Sequence, residues 1–129
     1  MEYLADTVAI IRHFSGIGNI GNEAKQILKS ADRGENIIYI SAISMVEIMY
    51  LAEANKIPVD FNSIKEHLIE SANYRIIDLS LEIVEEARKV KEFELHDRLI
   101  VATAIYLNIP ILTCDQTILN SDSIAAIWK

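Results

Sequence analysis

Four carboxylates stand where the sequence gives them little to do unless they act together. Asp6 ends the short apolar run Tyr3-Leu4-Ala5, and Asp115 follows Ile111-Leu112-Thr113-Cys114. Glu47 lies on the side of a helical stretch that carries Ser41 and Ser44 at steps of three. Asp97 opens the most apolar helical segment of the chain. Singly, each has a plain explanation. Asp6 and Asp115 can cap the helix or turn that follows, Asp97 can sit as an acid in a helix's first turn, and Glu47 can face water. Together they ask for another, because converging carboxylates raise each other's pKa unless cations are present. Oxygen ligands without His or Cys suit a hard divalent ion, Mg²⁺ or Mn²⁺, rather than zinc.

The elements that must position these acids are legible as alternating periods. Tyr3-Leu4-Ala5 reads as a strand, followed by a helical face of Val8, Ile11 and Phe14 that ends at Gly16, Gly18 and Gly21. Asn22 is placed to cap a helix with Ala24, Ile27, Leu28 and Ala31 inward and Gly34 to stop it. Ile37–Ile40 is apolar throughout, as in a parallel sheet covered on both faces. Met45, Ile48, Met49 and Ala52 form the next stripe, and a further helix starts at Asn62. Strands follow at Ile76–Leu79, Ile109–Thr113 and Ala125–Trp128, separated by a helix capped by Ser80 and by the apolar helix from Asp97 to Leu107. Alternating strands and helices imply a parallel sheet with helices on both faces. The expected class is α/β, one domain over residues 1–129 with four to five strands. In such sheets ligands bind outside the carboxyl ends of the strands, and all four acids can reach that edge.

Composition narrows the function. Nineteen acidic against twelve basic residues give a net charge of −7, so the chain is no generic phosphate-backbone binder. Contacts to a polyanion fall to few residues, chiefly Arg12 and Arg98, with Lys25 and Lys29 beside them. One cysteine, Cys114, allows neither an intrachain disulfide nor a Cys-based zinc site and fits a reducing cytoplasm. The longest uncharged stretch, Leu99–Cys114, is broken by Asn108-Ile109-Pro110 and reads as core rather than a membrane span. His13, His67 and His96 have no ligand spacing, and His96 reads as a local cap of the helix start. The run from Gly16 to Gly21 imitates a phosphate-binding glycine loop but follows a helix, not a strand.

The acids carry a resemblance. Tyr3-Leu4-Ala5-Asp6-Thr7, Ser41 to Glu47, His96 to Ala104 and Leu112-Thr113-Cys114-Asp115 resemble, in order and spacing, the four motifs of PIN-domain nucleases, and among them the VapC-type toxin ribonucleases of prokaryotic toxin–antitoxin pairs. The resemblance implies a Mg²⁺-dependent (or Mn²⁺-dependent) endoribonuclease acting on RNA and neutralised by a small antitoxin. Asp6, Glu47, Asp97 and Asp115 fall on the family's acidic positions. Thr7 and Thr113 fall on polar positions flanking the site, with Ser44 beside them. The fourth acid varies in position within the family, and Asp122 is the substitute for Asp115. Apolar positions around Met45, Met49, Tyr50 and Leu51 exceed the needs of one small core, so a homodimer is expected.

Two other enzyme classes fail on named residues. A phosphorelay receiver needs adjacent acids after the first strand and a Lys near a late one, yet Asp6 stands alone and Thr113-Cys114-Asp115 has no lysine. A haloacid-dehalogenase-type phosphatase needs Asp where Val8 stands. A non-catalytic protein-binding domain of the same fold is the remaining alternative, at the expense of self-repulsion among four acids.

Overall fold

Branched apolar runs form the strands of this protein, and the helices between them cover both sides of the sheet they make. A computed structural model describes residues 1–129. In chain order the elements are β1 (Glu2–Ala5), α1 (Thr7–Ser15), α2 (Asn22–Asp32), β2 (Ile37–Ser41), α3 (Ala42–Glu53) and α4 (Phe61–Glu70). They continue with β3 (Tyr74–Ile77), α5 (Leu81–Ala87), α6 (Leu95–Leu107), β4 (Ile111–Leu112), α7 (Gln116–Leu119) and β5 (Ala126–Ile127). The five strands are all parallel in the order β3-β2-β1-β4-β5. The α/β class and the parallel sheet expected from the sequence are both found.

Successive side chains of a strand point to opposite faces, and β1 divides the core accordingly. Tyr3 and Ala5 pack with Ile10, Leu28, Ile48 and Leu68 from the helices on one face. Leu4 packs with Ile100, Val101 and Ala104 of α6 on the other. A smaller cluster of Ile83, Ala87 and Ala102 joins α5 to α6. No helix is long and apolar enough to cross a membrane.

Several expected boundaries moved; β4 shortens to Ile111–Leu112, β5 to Ala126–Ile127, and α6 starts at Leu95 rather than Asp97. β3 begins at Tyr74 rather than Ile76 and stops at Ile77, because its register is set by β2, with Ile38 opposite Tyr74 and Ser41 opposite Ile77. Beyond Ser41 the partner chain has already turned into α3, so Asp78 and Leu79 have no ladder to join. Asn22 is the first residue of α2 and not its cap. Gly21 holds the cap position and offers no side-chain bond. α4 starts at Phe61, one residue early, with Asp60 accepting from the Ser63 N–H.

The start of α2 is instead satisfied by distant backbone. The Glu23 N–H donates to the Lys129 carbonyl (3.1 Å) and the Ala24 N–H to that of Trp128 (3.2 Å). This approach needs a glycine at position 21, where a Cβ would lie 2.0 Å from the Trp128 carbonyl oxygen. Gly21→Ala is therefore expected to lower stability by roughly 1–3 kcal/mol through forced backbone displacement, read as a fall in the urea midpoint at unchanged slope. An unchanged midpoint would mean that the residues after β5 do not brace α2.

Candidate active site

The strand order reverses direction between β1 and β4, which makes the carboxyl ends of those two strands the switch point where α/β sheets hold ligands. Asp6 leaves the end of β1 and caps α1, and Thr113 and Asp115 leave the end of β4. Asp6 is 9% exposed. Its Oδ1 accepts from the Thr7 N–H (2.7 Å) and its Oδ2 from the Thr113 hydroxyl (2.8 Å). The same Thr113 oxygen accepts the Asp115 N–H at 3.0 Å, so one hydroxyl ties the two strand ends together. Thr7 donates to the Ser44 hydroxyl of α3 at 2.9 Å. Thr7, Ser44 and Thr113 are all buried. These three small polar residues form the floor on which the acids stand.

The remaining acids come from helix starts and a helix flank. Asp97 lies in the first turn of α6, whose cap is Glu94: the Asp97 N–H donates to Glu94 Oε1 at 3.1 Å. Burial pushes the Asp97 carboxyl up to about 6, helped by the neighbouring charges of Asp115, Glu94 and Asp6. Asp6 is also raised, mainly by burial and slightly by Glu47. The hydrogen bonds from Thr113 and Thr7 oppose that rise. Each acid thus feels another, and Asp6 links Glu47 on α3 to Asp97 on α6. Asp115 accepts the Ile118 N–H (3.1 Å) and caps α7, so its capping role and its place among the acids coexist.

The acids fit a hard divalent cation in donor type and in mutual repulsion, which a cation relieves. The side chains stand apart in their present positions, and no three acidic, histidine or cysteine groups close around a common point. Glu47 and Asp97 are both partly exposed.

The structure separates the other candidate residues. Asp122 lines a surface cavity with Asn108, Ile109 and Pro110, the segment that enters β4, and so lies at the amino edge, away from the acids. Arg98 directs Nε and Nη2 to the Ala87 carbonyl (3.1 and 2.9 Å), tying α6 to the end of α5. Arg12, Lys25 and Lys29 gather on a separate cleft between α1 and α2. His96 does not cap its helix. Its Nε2 is buried without a hydrogen bond, 3.2 Å from Glu47 Oε1 but out of line for one. Glu is not a favoured cap residue, so residue type does not mark Glu94 as the cap of α6. Its spacing of three before Asp97 is the signal that marked it.

Comparison with known proteins places this arrangement. The family model for the PIN domain matches residues 3–122. The chain belongs to the PIN-domain family. Among solved structures, a chain of VapBC2 from Rickettsia felis bound to a DNA fragment from their promoter is 19% identical, with a TM-score of 0.73 and complete (100%) coverage of both chains. A toxin–antitoxin complex from Klebsiella pneumoniae is 24% identical at TM-score 0.66, covering 97% of this chain and 95% of that one. FitAcB from Neisseria gonorrhoeae is 19% identical at TM-score 0.70, covering 97% and 96%. At these identities the likeness is one of fold. No significant sequence match to a curated protein was found.

Within this PIN fold Thr113 has a testable role as the residue that orients Asp6. Thr113→Val keeps the shape and removes the hydroxyl. Nuclease activity that depends on Asp6 is expected to fall about 10- to 100-fold, as on removing the outer partner of a site carboxylate, with little change in unfolding temperature. A variant as active as wild type would release Thr113 from that role.

Proposed function

We propose that this PIN-domain protein is a divalent-metal-dependent endoribonuclease, using Mg²⁺ or Mn²⁺, and the toxin of a type II toxin–antitoxin pair. One observation carries the reading: Asp6, Glu47, Asp97 and Asp115 come from four separate elements to one end of the sheet, where burial and like charge hold Asp6 and Asp97 above the ordinary carboxylate range. The likeness in fold to a chain of a toxin–antitoxin complex from Klebsiella pneumoniae supports the partner.

Asp6, Asp97 and Asp115 would hold the cation, with Glu47 reaching it from α3. When bound, a divalent ion polarises a phosphoryl oxygen and lowers the pKa of a water. The chain's own part is placement. Thr113 and the Thr7 N–H fix both oxygens of Asp6. Glu94 anchors the first turn of α6 and with it Asp97. His96 beside Glu47 bears on the direction in which that glutamate points.

The deciding experiment incubates the purified protein with labelled single-stranded RNA in Mg²⁺, in Mn²⁺ and in EDTA. Cleavage with either metal, leaving 5′-phosphate and 3′-hydroxyl ends, and none in EDTA is the expected result. Ends carrying 2′,3′-cyclic phosphate, or cleavage unaffected by EDTA, would refute the mechanism. An antitoxin would lay an amphipathic segment over the site and place a basic side chain among the acids. A homodimer is supported by α3, where Met45 is core but Val46 (53%), Met49 (40%) and Tyr50 (61%) remain exposed.

A further inference from the structure

We infer that the cleft between α1 and α2 binds the phosphate backbone of single-stranded RNA through Arg12, Lys25 and Lys29. The cleft has a volume of about 270 Å³, and Ile20 is the single apolar side chain in its lining. The chain carries nineteen acids against twelve bases. Even so, three of its cations meet here and none of the three forms an ion pair. Lys25 and Lys29 stand one turn apart on the exposed face of α2, a like-charge spacing that opposes helix formation and that an anion would relieve. The one acid in the lining, Asp32, is tied back into the fold. Its Oδ2 lies 3.0 Å from His13 Nε2, and its Oδ1 accepts the Tyr74 hydroxyl at 2.8 Å. The three cations outweigh that single acid.

Arg12 is held ready. Its Nη1 donates to the Asn19 carbonyl at 2.8 Å, leaving its other N–H groups for a ligand. The loop that supplies this carbonyl passes close at Gly18, where a Cβ would lie 3.0 Å from the arginine stem, and Gly18 itself takes a φ of +92°. The left-handed φ favours glycine at that position. The loop set aside as a phosphate-binding motif on sequence grounds therefore acts through the arginine it clamps. Arg12 lies on the helix that Asp6 caps, six residues and about 9 Å along the axis beyond it. The lack of apolar lining disfavours a peptide helix, which would need a greasy groove.

The choice of RNA as ligand rests on the nuclease reading, but its binding can be measured without cleavage. In EDTA the carboxylate edge only repels RNA, so residual affinity reports other contacts. Fluorescence anisotropy with a labelled single-stranded oligoribonucleotide, titrated over a range of NaCl, should give a log–log slope of about −2 for three phosphate contacts. Lys25→Gln/Lys29→Gln should weaken binding and reduce that slope by about 1.4. Lys89→Gln/Lys91→Gln, an equal change in net charge elsewhere, should leave the slope alone. Equal loss in both pairs, or loss in neither, would overturn the site. Polyglutamate bound with the same lysine dependence, while RNA is not, would assign the cleft to an acidic protein segment and overturn it too. RNA held in the cleft but never cut with metal would refute the nuclease reading alone. Normal cutting with an unchanged slope in the Lys25/Lys29 variant would refute this inference alone.

Discussion

Asp6→Asn is expected to abolish RNA cleavage while leaving the protein folded and no less stable than wild type. The carboxylate sits at the switch point of the sheet and is 9% exposed. Its ionised form is disfavoured by burial and by Glu47, so asparagine relieves both penalties. The amide can keep the geometry: its oxygen accepts from the Thr7 N–H, and its nitrogen can donate to the Thr113 oxygen now bonded to Oδ2. The amide cannot supply the negative charge needed to hold a divalent cation. Loss of the central ligand should lower the cleavage rate by a factor on the order of 10³, comparable with removing a principal electrostatic group from other active sites. Circular dichroism should be unchanged. The unfolding temperature in EDTA should stay level or rise by a few degrees, as a gain of up to about 1 kcal/mol would give at this size. Adding Mg²⁺ should stabilise wild type and not the variant. An Asp6→Asn protein that still cuts RNA at a tenth of the wild-type rate would remove Asp6 from the centre of the site.

Acidification should act on activity and on stability in opposite directions. Asp97 titrates at about 6 in the folded protein, against an ordinary value of 3.8. A carboxyl raised by folding binds its proton more tightly in the folded state than in the unfolded one. Its ionised form therefore destabilises the fold above about pH 6, and that penalty is relieved as pH falls from 6 toward 3.8, with no further gain below. In EDTA the protein should be more stable at pH 5 than at pH 7.5 by about 1 kcal/mol from this group, after allowance for solvent screening of a partly exposed side chain. Asp97→Asn should remove that share of the pH dependence, which separates it from the histidines. Cleavage runs the other way. The cation needs ionised ligands, so the rate should fall below about pH 6, by roughly tenfold per unit in the single-proton regime. More Mg²⁺ should move the fall to lower pH, since metal and proton compete for the same oxygens. Stability curves of wild type and Asp97→Asn that run parallel from pH 7.5 to 5 would contradict the assignment. So would a rate profile indifferent to Mg²⁺.

The sequence alone determined the α/β class and the parallel sheet, and it singled out the four acids proposed for the site, because each reading rests on a local signal. Ile37–Ile40 is apolar on both faces, Ser80 caps α5 as its spacing requires, and Asp6 and Asp115 each end an apolar run. Signals of this kind involve neighbours a few residues apart. Tertiary structure alone decided which distant residues share a point in space. The bond from Thr113 to Asp6 spans 107 positions, and no pattern in the chain predicts it. Asp122 is seven residues beyond Asp115 in sequence, yet it lies at the opposite edge, because α7 carries the chain back down before β5 begins. Arg98, beside a site residue in sequence, turns to the end of α5. Arg12, Lys25 and Lys29 meet because α1 and α2 are folded against each other around a glycine-rich loop. Side-chain direction and strand register are set by packing partners far along the chain, and the type of a residue does not encode them.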